Sequence, residues 1–122
     1  MSRCTVIIAE DHGLVRAGLV ALLEKEAGIE ILAAVADGEE ALEHIQRLRP
    51  EVALVDLSMP RLSGVEVARR VREAGLRTAV VIVSVHHEPD FVRASLEAGA
   101  AGYLIKESAP RELVDAVRAA AA

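Results

Sequence analysis

The sequence predicts an α/β domain, with five parallel strands in one sheet and helices packed on both faces. Two features predict it. Short apolar runs recur at 5–9, 29–35, 52–55, 79–85 and 102–105, several without the polar alternation of a strand that has one wet face. Between them lie longer segments with apolar residues at helical spacing, and such alternation builds a parallel sheet. The chain is 122 residues long, 52% apolar and 27% charged, which suits one packed domain over residues 1–122. Aromatics make up only 2%, so the core must come from Val, Leu, Ile and Ala, and Phe91 and Tyr103 each need a reason of their own.

The elements follow in order. Met1-Ser2-Arg3 leads directly into the first strand without a signal-peptide pattern. The lone Cys4 has no disulfide partner and reads as a small apolar filler near that strand's start. After His12, residues Leu14, Val15, Leu19, Leu22 and Leu23 suggest one helical face, stopped by a left-handed cap at Gly28. The second helix covers 38–48, with Asp37 as N-cap, Ala41, Leu42, Ile45 and Leu48 facing inward, and Pro50 ending it.

The third helix starts near Ser63 and carries Val65, Val67, Ala68 and Val71 before Gly75. The fourth runs from Pro89-Asp90 to Ala98-Gly99. The last opens at Ser108-Ala109-Pro110, where proline suits the first turn, and continues through Leu113, Val114 and Val117 to an alanine tail. The apolar face of that helix is one candidate contact surface.

Net charge is −5, which argues against this segment gripping nucleic acid. No apolar run reaches the roughly 18 residues that span a bilayer. The default expectation is a reduced, cytoplasmic protein without membrane contact.

In such a sheet the ligand crevice lies beyond the carboxyl ends of the strands. Those ends carry Glu10-Asp11, Asp56, Ser84 and Lys106. Crowded carboxylates raise one another's pKa unless a cation offsets them, and Mg²⁺ is the hard ion suited to carboxylates, waters and a phosphate oxygen. Asp11 and Asp56 are expected as direct ligands, Glu10 through water, and the Ser58 backbone carbonyl as a further donor. An Asp carboxylate attacking a phosphoryl group needs its charge repulsion screened, which Lys106 and the metal supply, while Ser84 can donate to a phosphoryl oxygen. Pro60 stiffens the loop after Asp56, and Gly64 provides a conformation or close approach that a side chain would forbid.

Glu10-Asp11, Asp56 with Met59-Pro60 and Gly64, Ser84, and 98–106 ending in Gly102-Tyr103-Leu104-Ile105-Lys106 resemble the receiver domains of two-component response regulators. The likeness covers essentially the whole chain. Glu10-Asp11-His12, Val15-Arg16-Ala17-Gly18 and Asp56-Leu57-Ser58-Met59-Pro60 narrow it to the NarL-type (LuxR-type output) subgroup. The resemblance implies the flavodoxin-like (βα)₅ fold and a phosphoryl group donated by a sensor histidine kinase and later hydrolysed. It also implies a phosphorylation-controlled surface, possible homodimerisation, and transcriptional output through a C-terminal helix-turn-helix DNA-binding domain that these residues do not include. Ser84 and Tyr103 are then a switch pair: Ser84 moves toward the phosphoryl group and Tyr103 turns into the space it leaves. Two positions depart from the commonest pattern, Glu10 in place of Asp and Glu107 where proline often follows the lysine.

Competing explanations exist for each residue. Glu10 and Asp11 alone could cap a helix, Ser84 and Lys106 could be ordinary surface groups, and Tyr103 could be edge packing. His12, His86 and His87 lack the spacing of a metal cluster; His86 and His87 could tune the phosphate's lifetime or be merely solvated. A Mg²⁺-dependent phosphohydrolase working through an aspartyl-phosphate would carry a second carboxylate two residues after the nucleophile, and Ser58 stands there. A pseudo-receiver would have lost its nucleophile or acidic pair, and both are present. The domain is therefore expected to be a phosphoacceptor, not a turnover enzyme.

Overall fold

A computed structural model describes residues 3–108 and 110–122. Met1, Ser2 and Ala109 lie outside the described residues, so the part Ala109 plays at the last helix start is not defined. Ten elements alternate along the chain: β1 (Cys4–Ala9), α1 (Gly13–Glu24), β2 (Ile29–Val35), α2 (Gly38–Leu48), β3 (Val52–Asp56), α3 (Gly64–Glu73), β4 (Ala79–Ser84), α4 (Pro89–Glu97), β5 (Gly102–Ile105) and α5 (Pro110–Ala121). All strand pairs are parallel, in the order β2-β1-β3-β4-β5. The expected (βα)₅ fold is the observed one.

Strand periodicity divides the core into two layers. On one face, Ile7 and Ala9 of β1, Ala53 and Val55 of β3, and Val80 and Ile82 of β4 pack with Ala41 and Ile45 of α2 and Val67, Ala68 and Val71 of α3. On the other, Val6, Ile8, Val52, Leu54, Val81 and Val83 pack with Leu23 of α1 and Leu113, Val114 and Val117 of α5. Both faces of the central strands are therefore apolar, which is why their sequences run without alternation.

Local chemistry sets the helix ends. Asp37 Oδ1 accepts the Glu40 amide at 2.8 Å and Ser63 Oγ accepts the Glu66 amide at 3.2 Å, satisfying amides that the first turn leaves unpaired.

Three expectations change. Leu14 is 88% exposed. At roughly 100° per residue it lies opposite Leu23, the fully buried position of α1, so it cannot share that face. Gly28 does adopt a positive φ of 82°, but α1 ends at Glu24 with Lys25 as its C-cap. The glycine instead turns the chain into β2, its carbonyl accepting the Cys4 amide at 2.7 Å. Finally, Leu113, Val114 and Val117 of α5 are buried in the core. That face is spent on folding and is not a free contact surface.

Candidate functional site

Asp56 ends β3 in the centre of the sheet, flanked by β1 and β4, so the loops leaving β1, β4 and β5 converge around it. A cavity of about 270 Å³ opens there, lined by Asp11, His12, Asp56, Ser58, Ser84, Val85, His86 and Lys106. A larger one, about 510 Å³, lies at the opposite end of the sheet among Arg49, Glu51, Arg77, Thr78 and the end of α5. Only the smaller one gathers the carboxylates, hydroxyl and ammonium singled out in the sequence. Chemistry, not size, selects the site.

Lys106 Nζ stands 2.9 Å from Glu10 Oε1 and 3.3 Å from Asp56 Oδ1. Glu10 is 1% exposed and Asp56 6% exposed, so both carboxylates are largely removed from water. Burial first, and then the neighbouring Glu10 charge, push the Asp56 carboxyl up to about 6, with Lys106 pulling against them. Burial alone would lower the Lys106 pKa, but the Glu10 and Asp56 carboxylates outweigh it and raise it.

The β1–α1 loop is held tightly. Glu10 Oε2 accepts the His12 amide at 3.1 Å, and the Arg16 guanidinium donates to the Glu10 carbonyl at 2.7 Å. No acid occupies the first turn of α1, which removes the helix-capping explanation for the acidic pair. One ligand atom from each of Glu10, Asp11 and His12 lies within 4.8 Å of the others; His86 and His87 do not join that group.

Ser84 is buried, and its hydroxyl oxygen accepts the His86 amide at 2.9 Å. Tyr103 is half-buried on β5, and its hydroxyl donates to the His86 carbonyl at 2.6 Å. One peptide segment thus touches both members of the expected switch pair. The His86 ring stacks on Phe91 with centroids 4.5 Å apart, which gives Phe91 a surface-packing role. His87 is exposed. No peptide bond among the described residues is cis, so Lys106–Glu107 is trans.

Gly64 makes the close approach expected of it: a Cβ there would lie 2.5 Å from the Asp56 carbonyl oxygen. Its amide donates to the Leu57 carbonyl at 2.8 Å, folding the β3–α3 loop back under Asp56. Two features escaped the site assignment from sequence, the Arg16 contact and the His86–Phe91 stack. Arg16 stands in the sequence only as part of a family pattern, and nothing there says that residue 91 reaches residue 86.

The donor set fits a hard divalent cation. Three carboxylates, Glu10, Asp11 and Asp56, face one ammonium, a deficit of two positive charges if all are ionised. Glu10 Oε1 is also the one buried side-chain polar atom among the described residues with no hydrogen-bond partner in good alignment, despite its charge contact with Lys106. Oxygen donors of this kind favour Mg²⁺ over softer metals.

Fold and site define a receiver, a domain that gathers an acidic pair, a third carboxylate, a hydroxyl and a lysine at the carboxyl ends of its strands. The chain belongs to that family: the response regulator receiver domain matches residues 6–118. It is similar to "Nitrate/nitrite response regulator protein NarP" of Escherichia coli K12, at 39% identity over 95% of this chain and 54% of that protein. It is also similar to "Probable transcriptional regulatory protein NarL" of Mycobacterium tuberculosis H37Rv, at 41% identity over 92% and 52%. The solved signal receiver domain of NarL from Mycobacterium tuberculosis superposes with a TM-score of 0.97 at 39% identity, covering 99% of this chain and 98% of that one. These relatives are NarL/LuxR-type two-component response regulators, and this chain is a receiver domain of that type. It spans about half the length of the curated relatives it matches.

Proposed function

We propose that Asp56 is the phosphoacceptor and that Glu10, Asp11, Asp56 and the Ser58 carbonyl hold Mg²⁺ around it. The observation that carries this is Lys106 bridging Glu10 and Asp56 at 2.9 and 3.3 Å in a cavity also lined by Asp11 and Ser84.

In the reaction, an Asp56 carboxylate oxygen attacks the phosphorus of a phosphohistidine on a sensor kinase. The new O–P bond forms as the N–P bond breaks, and the imidazole leaves with its electron pair. Lys106 holds a positive charge beside the equatorial oxygens. Ser84, whose hydroxyl oxygen already accepts the His86 amide, keeps its proton free to donate to one of those oxygens. The metal supplies charge compensation and orientation when bound. Hydrolysis of the acyl phosphate resets the site, so the domain acts as a signalling acceptor with at most slow self-dephosphorylation.

Ser84 and Tyr103 form the switch pair. Both bond the His86 segment, so a shift of Ser84 toward the phosphoryl group changes the packing that holds Tyr103 and biases a two-state surface. That surface would govern homodimerisation and transcription through a DNA-binding domain beyond these residues. A cytoplasmic setting follows from the kinase partner, and among the described residues no helix is long and apolar enough to cross a membrane.

The test is the intact mass of the protein after incubation with acetyl phosphate, with Mg²⁺ and with a chelator. One added phosphoryl group with Mg²⁺ alone supports the assignment; no adduct, and no beryllofluoride binding, opposes it.

A further inference from the structure

We propose that Arg16 is a positioning residue for the acidic site: its guanidinium locks the Glu10–Asp11 peptide and thereby sets where the Asp11 carboxylate points. This rests on the reading of Glu10, Asp11 and Asp56 as the Mg²⁺ site.

Arg16 lies in the first turn of α1, yet its side chain runs back toward β1. It is half-buried, its Nη1 donates to the Glu10 carbonyl at 2.7 Å, and it forms no ion pair among the described residues. Desolvating a guanidinium is expensive, so an arginine tucked onto a lone carbonyl needs a compensating benefit. The loop it clasps carries that benefit, because two of the three site carboxylates sit there.

Residue 10 is held from every side. Its amide donates to the Val35 carbonyl at 3.0 Å, its Oε2 accepts the His12 amide, and its Oε1 faces Lys106. Arg16 supplies the remaining restraint, on the carbonyl. Asp11, by contrast, is exposed, and its carboxylate meets the Asp56 carboxyl but no backbone or cationic donor that would fix it from its own side of the site. Its direction therefore depends on the peptide plane before it, the plane whose oxygen Arg16 holds. The Arg16 backbone amide also donates to the His12 carbonyl at 2.8 Å, closing the loop from its other end.

Mg²⁺ demands near-ideal octahedral geometry, so a wandering Asp11 weakens binding although no ligand is lost. Isothermal titration with Mg²⁺ on the wild type, Arg16→Met and Arg16→Lys, with thermal melts run in a chelator, tests this. Binding is expected to weaken about tenfold in Arg16→Met, the low end of the loss seen when outer partners of metal ligands are removed, and by less, about threefold, in Arg16→Lys, which keeps a donor. The metal-free melting midpoints should stay close to wild type, and adduct formation should recover at saturating Mg²⁺. An unchanged Mg²⁺ affinity in a folded Arg16→Met contradicts the inference. Should that variant fail to fold, Arg16→Lys decides in the same way, weakened binding supporting and unchanged binding opposing. Wild-type protein that binds no Mg²⁺ defeats the proposed function itself, whereas equal affinity in wild type and variant defeats only the role of Arg16.

Discussion

Lys106 Nζ stands 2.9 Å from Glu10 Oε1, joining the residue that follows β5 to a carboxylate, 1% exposed, on the residue that follows β1. Removing one partner of such a pair leaves the other buried and uncompensated. Lys106→Ala should therefore lower stability by about 3 kcal/mol in metal-free buffer, with part of the loss recovered on adding Mg²⁺. The variant should still accept some phosphoryl group at Asp56 but lose the response of the distal surface. Chemical denaturation with and without Mg²⁺ checks the first statement, and NMR shifts around Tyr103 check the second.

Asp56 links the site to pH. Its folded-state pKa of about 6 lies above the ordinary 3.8, so the folded protein binds a proton more readily than the unfolded chain. The resulting stability is fully present below about pH 4 and is lost as pH rises through about 6. In metal-free buffer Asp56→Asn, which cannot ionise, should be more stable than wild type at pH 7.5 by on the order of 3 kcal/mol. That advantage should vanish near pH 4. Denaturation midpoints across this range read the effect directly; a constant difference at every pH contradicts it.

Gly64 approaches the Asp56 backbone too closely for any side chain, with 2.5 Å between a Cβ and the Asp56 carbonyl oxygen. Gly64→Ala should destabilise the domain by about 2 kcal/mol through overpacking and slow phosphorylation by shifting Asp56. Gly18→Ala is the control, since a Cβ at Gly18 meets nothing within 4 Å. Equal effects in the two variants would remove the argument for Gly64.

Tyr103 holds the segment after Ser84 through a 2.6 Å bond to the His86 carbonyl. Tyr103→Phe should cost about 1 kcal/mol, the ordinary worth of one hydrogen bond. The phosphoryl group should still form at Asp56, because Tyr103 does not line the cavity around it. The coupling should suffer instead: beryllofluoride should shift fewer resonances on α4 and β5 than in wild type.

Much of this architecture was legible in the sequence because the central strands are apolar on both faces. Val52 through Val55 read as one run for that reason, and the acidic, hydroxyl and ammonium groups stand at run ends where a parallel sheet must gather them. A cap was legible where side chain and backbone meet locally, as at Asp37. What was not legible depended on side-chain direction. Leu14 matches an apolar pattern but points opposite Leu23, and the α5 face read as a surface is core because β1, β3 and β4 fill the space against it. Arg16 and the His86–Phe91 stack were opaque for a related reason. Their partners are a backbone carbonyl and a ring reached across a turn, and neither leaves a signature in residue type.

Phosphorylation is expected on Asp56 and nowhere else. Borohydride reduces an aspartyl phosphate to homoserine, so peptide mapping by tandem mass spectrometry after acetyl phosphate and Mg²⁺ treatment locates the acceptor. Homoserine is expected at position 56 in the wild type, with no modified peptide in Asp56→Asn. Homoserine at position 11, or an unaltered yield in Asp56→Asn, would contradict it.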